Sequence, residues 1–206
     1  GDGRAGGGRE ALLAVGLAVA AAAAVKVPEL FGQRMHPDQE LPRFYLLNFG
    51  LLVLPFLAAF FAIRRSLSSA GRMWLAAPFV AGAVALNAMP FGSAGPMRAF
   101  GVPMANTEAL AALHLPIALW LAVGFAYVAG RWRDPDQRMN FVRFSGEWFI
   151  YYVLIALGGG VLSAFTAFVF NAIGMNPQPL IVRWIIPCGA AGAMLIAAWL
   201  VEYKQS

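Results

Sequence analysis

The sequence predicts an all-α, polytopic membrane protein, a bundle of about six transmembrane helices in a single domain over residues 1–206. Apolar residues make up 60% of the chain and charged residues only 12%, whereas soluble domains have about half and a quarter. The mean hydropathy is +0.67. The apolar residues also gather in runs close to the roughly 20 that a helix needs to cross a bilayer. A soluble fold and a nucleic-acid-binding role are therefore excluded, although the pI is near 9.9.

Six apolar runs are the candidate spans. They are residues 11–27, 44–63, 73–91, 110–130, 148–174 and 180–201. The first is short and rich in alanine, and with Arg4 and Arg9 before it this run is also typical of a signal peptide. The start of the reading frame would decide between the two interpretations. The fifth is about 40 Å long at 1.5 Å per residue, so we expect it to tilt, kink or unwind.

Lysine and arginine in the loops predict the orientation of the spans, because positively charged loops stay in the cytoplasm. One side carries ten of these residues and the other carries five. The ten are Arg4, Arg9, Arg64, Arg65, Arg72, Arg131, Arg133, Arg138, Arg143 and Lys204, and the five are Lys26, Arg34, Arg43, Arg98 and Arg183. We therefore expect both termini in the cytoplasm and the protein in the inner (plasma) membrane. Residues 131–146 are predicted to form the main cytoplasmic loop.

The run Gly158-Gly159-Gly160 in the fifth span is the most unusual local feature. Small residues four apart, such as Gly160 and Ala164, are typical of close helix contacts, and Gly189 with Ala193 offers a matching face in the sixth span. We expect the two spans to pack closely here. A hinge or an unwound ion site is the alternative.

Proline also recurs within the spans, at Pro55, Pro78, Pro116 and Pro187. Each removes a backbone donor and tends to kink its helix. Ordinary packing and a binding site built from half-helix ends are the two explanations. Pro187 belongs, with the glycine run and Gly189, to the predicted hinge or packing region.

Polar residues within or beside the spans form a candidate polar pathway, because lipid makes such residues costly. They are His114, Asn87, Glu108 and Arg183. A histidine beside a carboxylate relays protons or binds a cation. In the alternative interpretation, His114 bonds to a neighbouring carbonyl and Glu108 caps a helix that starts near Asn106.

Arg143 and Glu147 lie four residues apart, the spacing of an ion pair on one helical face. We expect this pair to be structural. Cys188 is the single cysteine, so an intrachain disulfide is excluded. Motifs of metalloproteases, hydrolases and cysteine–histidine metal sites do not occur in the sequence. The sequence therefore predicts no enzymatic activity, no catalytic residues, no metal and no cofactor.

Two stretches, FVRFSGEWFIYYVLIALGGGVLSAFT (141–166) and WIIPCGAAGAMLIAAWLVEYKQS (184–206), resemble a bacterial inner-membrane family of unknown function. KVPELF (26–31) and FYLLNFGLLVLPFLAAFFAIRR (44–65) fit the same family more loosely. Its members are multi-pass proteins, sometimes labelled permease-like. The resemblance implies a membrane location and a helical fold, and it supplies no catalytic residues. It also implies that this chain is part of a longer protein, as does the first residue, Gly1.

Two functional hypotheses follow. The first is a transport or permease-like domain, suggested by broken helices and intramembrane polar groups. The second is a non-transporting domain that anchors, senses or assembles, serving a partner or the rest of a longer chain. The expected partners are the lipid bilayer and other helices of a longer chain or an oligomer, and no nucleic acid. A polar cavity lined by His114, Asn87 or the glycine run would favour transport.

Overall fold

The computed structural model describes residues 2–35, 42–90, 97–99 and 102–205. Within these residues, six helical segments are long and apolar enough to cross a membrane. They are Gly8–Phe31, Arg43–Arg64, Ser69–Ala88, Asn106–Tyr127, Pro135–Ala172 and Gln178–Lys204. Each overlaps one of the apolar runs, so the prediction of an all-α, multi-pass membrane protein is confirmed.

The helices and strands follow one another in a simple order. They are α1 (Asp2–Lys26), a 3₁₀ turn (Val27–Phe31), α2 (Arg43–Arg64), α3 (Ser69–Ala88), β1 (Met97–Ala99), β2 (Val102–Met104), α4 (Asn106–Tyr127), α5 (Pro135–Ala172), α6 (Gln178–Leu180), a π turn (Ile181–Ile185) and α7 (Ile186–Gln205). The two short strands pair antiparallel, with Arg98 opposite Pro103.

The helix α5 differs most from its predicted boundaries. It begins at Pro135, so most of the predicted loop 131–146 is helical. Proline suits the first turn of a helix because its missing N–H needs no partner there. The Asp134 side chain also accepts a hydrogen bond from the backbone N–H of Asp136 at 3.0 Å. The helix continues through the glycine run without a break, so these glycines do not unwind it.

The chain, predicted as one domain, divides into two compact units. Unit 1 comprises Gly1–Pro37 and Met139–Ser206. In this unit α1 lies along α7, and small residues form the contact. Ala14, Ala18, Ala21, Ala191 and Ala198 are all buried. Gly192 faces Ala18, since a Cβ atom added at Gly192 would lie 3.9 Å from the Ala18 Cβ. Small side chains allow this approach of two helix backbones.

Unit 2 comprises Asp38–Arg138, and α2 packs against both α3 and α4. Its core is aromatic at one end, where the rings of Phe61 and Tyr127 meet edge to face at 5.2 Å between centroids. Near the middle of α3, Gly82 faces α2 and α4. A Cβ atom added there would lie 2.8 Å from a methyl group of Leu115 and 3.6 Å from one of Leu51. Three helices therefore meet at a position that only glycine fits without movement.

Candidate functional site

A partly buried ion pair joins the first residue of α2 to the first turn of α4. The side chain of Glu108 is fully buried, whereas that of Arg43 is 48% exposed. Arg43 donates from Nε to Oε1 of Glu108 and from Nη2 to Oε2. The backbone N–H of Ala105 donates to Oε2 as well, at 3.3 Å. Glu108 thus caps its own helix, as one of the two interpretations predicted, and it also ties α4 to α2.

Asn87 forms a reciprocal amide pair with Asn48 of α2. Asn48 donates to the Asn87 side-chain oxygen at 3.2 Å, and Asn87 donates to that of Asn48 at 2.8 Å. Each amide also donates to a carbonyl four residues earlier in its own helix, that of Phe44 at 3.1 Å and that of Ala83 at 2.9 Å. Asn48 is buried. The pair is uncharged and links α2 to α3. Asn48 was not predicted as a site residue, although it is a polar residue within an apolar run.

His114 is exposed on α4, and its Nδ1 donates to the carbonyl of Leu110 at 2.8 Å. This is the local bond of the alternative interpretation. The imidazole of His114 and the carboxylate of Glu108 therefore each have other hydrogen-bond partners, and the structure shows no relay between them in the described part of unit 2.

Arg183 lies in the π turn and belongs to a charged cluster of unit 1, the Lys26–Glu29–Arg183 cluster. Nη2 of Arg183 lies 3.2 Å from a carboxylate oxygen of Glu29. Lys26 donates to the other oxygen of Glu29, and its Nζ lies 4.3 Å from the ring centroid of Trp184. Lys26 and Glu29 were not singled out from the sequence, because their contacts with Arg183 span most of the chain.

Pro187 explains why a lysine from α1 enters this cluster. Proline has no N–H, so it cannot donate to the carbonyl four residues earlier, which is that of Arg183. Nζ of Lys26 donates to this carbonyl at 2.6 Å. The π turn Ile181–Ile185 ends two residues before Pro187, and helix kinks occur both at prolines and at π turns. Pro187 therefore marks a break whose freed carbonyl is satisfied.

The glycine run does not form the predicted close contact with α7. A Cβ atom added at Gly158, Gly159, Gly160 or Gly189 would meet nothing within 4 Å. Instead, a cavity of about 380 Å³ separates the two helices, here called the α5–α7 groove. Its lining includes Gly159, Gly160, Ser163, Gly189, Ala190 and Ala193. The Ser163 hydroxyl donates to the carbonyl of Gly159 at 2.8 Å, so the surface of the groove is apolar.

Contacts beyond one end of the groove explain why the close-packing prediction was wrong. Trp148 of α5 donates from its indole nitrogen to the carbonyl of Met194 at 3.0 Å. Its ring stacks on Tyr152 at 5.2 Å between centroids. Bulky aromatic rings at a helix contact hold the two backbones further apart than small residues would.

The predicted partner of Glu147 also differs. Nζ of Lys204 lies 3.7 Å from a carboxylate oxygen of Glu147, so the ion pair that the structure shows for Glu147 joins α5 to α7. Arg143 lies one turn earlier on α5 and is exposed. The spacing along one helix identified Glu147 but not its partner, because α7 brings Lys204 to it from the other end of the sequence.

No protein-family model, curated protein or solved structure matches this chain.

Proposed function

We propose that this chain is a non-transporting membrane domain that assembles through the α5–α7 groove with α5 of a second copy. The observation that carries the proposal is the exposure of the most apolar part of α5, a helix of 38 residues. Its most apolar 18-residue window has no buried residue, whereas the corresponding window of α2 is 44% buried. A helical segment that its own chain leaves exposed is available to another helix.

Exposure to lipid alone would not favour assembly, because every outer helix of a membrane protein exposes apolar side chains. The groove adds an exposed surface of small residues from two helices. Glycine disfavours helix formation by about 1 kcal/mol relative to alanine, and it offers little apolar area to lipid. A close approach by another backbone is the usual gain from such residues in membranes. The same face on two copies gives a symmetric contact.

Transport, the other hypothesis, receives less support from the contacts of the polar residues. A transport site needs polar groups directed into a cavity near the middle of the membrane. Glu108 is bound by Arg43, Asn87 by Asn48, and His114 by its own helix. The glycine run borders an apolar groove rather than a polar cavity.

We further infer a cell inner-membrane location with both termini in the cytoplasm. The inference rests on positive residues at one set of helix ends. Arg64 ends α2, Arg72 lies in the first turn of α3, and Arg131 follows α4. Labelling of single cysteines introduced near each terminus, from either side of the membrane, would test this orientation.

The assembly is tested by energy transfer between differently labelled copies of the chain in liposomes. Gly159→Leu fills the groove and is expected to reduce the transfer to the level of a dilute monomer. Gly158→Leu is the matched control, since Gly158 precedes it on α5 without lining the groove. Wild-type copies that show no transfer above random proximity, or equal transfer in both variants, would overturn the proposal.

The same liposomes test the transport hypothesis. A pH-sensitive dye inside them reports proton flux. If protons pass through His114, His114→Ala should abolish this flux. Flux through the wild type that disappears in His114→Ala would favour transport over assembly. We expect no flux above that of protein-free liposomes.

A further inference from the structure

A second apolar groove lies in unit 2, whereas the glycine run belongs to unit 1. It runs between α2 and α3, has a volume of about 330 Å³, and is here called the α2–α3 groove. Pro55, Ala59 and Ile63 line it from α2, and Arg72, Ala76 and Val80 line it from α3. All its lining side chains except that of Arg72 are apolar. The volume lies in the range of about 300–1,000 Å³ typical of small-molecule sites.

Arg72 is held in place while most of its donors stay available. Its Nε donates to the carbonyl of Leu67 at 2.9 Å, which fixes the guanidinium beside the turn between α2 and α3. Among the described residues, no hydrogen bond or ion pair engages its Nη1 or Nη2. A guanidinium with both terminal amino groups available matches the geometry of a phosphate.

The surroundings of Arg72 favour negative charge. The helix α3 begins at Ser69, three residues before Arg72, so its N-terminus adds a partial positive charge. No aspartate or glutamate occurs in the sequence from 42 to 107. Residues 42–107 therefore supply no carboxylate to the end of the α2–α3 pair at which Arg72 lies.

The depth of Arg72 in the membrane follows from its neighbour Trp74. The Trp74 side chain is 71% exposed, and exposed tryptophans of membrane helices lie at the level of the lipid headgroups. Arg72 is half a turn from Trp74 on α3. Arg72 therefore lies at the depth of the lipid phosphates. The groove extends from there along the helices to Pro55 and Val80.

We propose that the α2–α3 groove binds one anionic phospholipid, with its phosphate on Nη1 and Nη2 of Arg72 and one acyl chain along the apolar part of the groove. Basic pockets between transmembrane helices bind anionic headgroups. The single cation at one end and the apolar lining elsewhere match a molecule with one charged end. The site is distinct from the α5–α7 groove and does not depend on assembly.

Native mass spectrometry of the full chain in detergent tests the proposal with two lipids that have the same acyl chains. Phosphatidylglycerol is expected to bind one to one and about ten-fold more tightly than phosphatidylcholine, because only its headgroup carries net negative charge. Arg72→Gln is expected to remove that preference. Arg143→Gln, an exposed arginine on α5, is the matched control and should bind as the wild type does.

Two further arms identify which part of the lipid is recognised. Ala76→Phe fills the groove without changing Arg72, and it should weaken the binding of both lipids. Inorganic phosphate at millimolar concentration should not displace phosphatidylglycerol. Unchanged lipid binding in Arg72→Gln or in Ala76→Phe would overturn the proposal, and so would displacement by inorganic phosphate, which would show a phosphate site without a lipid. Circular dichroism verifies that each variant is folded.

Discussion

The two partners of the Arg43–Glu108 ion pair should differ in what their removal costs. Arg43→Gln leaves the carboxylate of Glu108 fully buried, with the backbone N–H of Ala105 as its remaining donor at 3.3 Å. Glu108→Gln leaves the guanidinium of Arg43, whose side chain is 48% exposed, with access to water. The burial of the two side chains, rather than their shared contact, therefore decides the order of the two effects.

The magnitudes follow from these exposures. Removing one partner of a buried ion pair costs about 3–5 kcal/mol when the remaining charge is buried, and this applies to Arg43→Gln. In Glu108→Gln the charge that remains is half exposed, so the loss is closer to that of charge-assisted hydrogen bonds, about 1.5–3 kcal/mol. The double variant removes both charges and should be more stable than Arg43→Gln alone.

Reversible unfolding in mixed micelles, followed by circular dichroism, measures all three free energies of unfolding. A double-mutant cycle then gives the coupling between the two side chains. Arg143→Gln controls for the removal of an exposed arginine and should change the free energy of unfolding by less than about 0.5 kcal/mol. If Arg43→Gln destabilises the protein no more than Glu108→Gln does, the argument from the buried carboxylate is refuted.

Three further substitutions should change the free energy of unfolding measured in the same way. Asn87→Ala should cost about 1–3 kcal/mol, because it leaves the buried amide of Asn48 without its partner; a neutral effect would contradict the pairing. Gly82→Leu should cost about 1–3 kcal/mol by overpacking the contact of three helices, whereas Gly158→Leu, with open space around it, should not destabilise. Lys26→Met should cost about 1–3 kcal/mol, because the Arg183 carbonyl that Pro187 leaves free would lose its donor. Retained stability would show that water replaces the lysine.

Hydropathy was sufficient to locate all six spans, because the cost of exposing polar backbone to lipid leaves few alternatives to a helix. Helix ends were less predictable. Residues 135–146 lie outside the apolar run that marks the fifth span and include several charged and polar residues, yet they extend α5 because helix formation does not require apolar residues. A pattern that measures affinity for lipid detects the part of a helix that lies in the membrane, not the whole helix.

The partners of the polar residues were beyond prediction. Arg43 and Glu108 are 65 residues apart, and Arg183 and Glu29 are 154 residues apart. Only the packing of the helices brings each pair together. The sequence thus identified Glu108, Asn87 and Arg183 as polar residues in an apolar setting. It identified Arg43 and Lys26 only as cations that set the orientation, and it did not identify Asn48.

The role of each glycine in packing was also beyond prediction from the sequence. Three consecutive glycines in α5 predicted a close helix contact, yet a Cβ atom added at any of them would have nothing within 4 Å. Gly82 is a single glycine in α3, and it lies where a Cβ atom would be 2.8 Å from Leu115. Whether a glycine permits close approach depends on what faces it, and that information is carried by another helix.

Polar contacts in unit 2 are unevenly distributed along the helices, and this unevenness connects its structural and proposed functional features. The Arg43–Glu108 and Asn48–Asn87 pairs lie at one end of α2, where charges and amides satisfy one another. Arg64, Arg65 and Arg72 lie near the other end, in a segment without a carboxylate. Paired polar groups fix helices together, whereas a cluster of positive charge attracts anionic headgroups. The first end therefore holds the three helices in register, and the second is the end that we expect to face the anionic leaflet of the membrane.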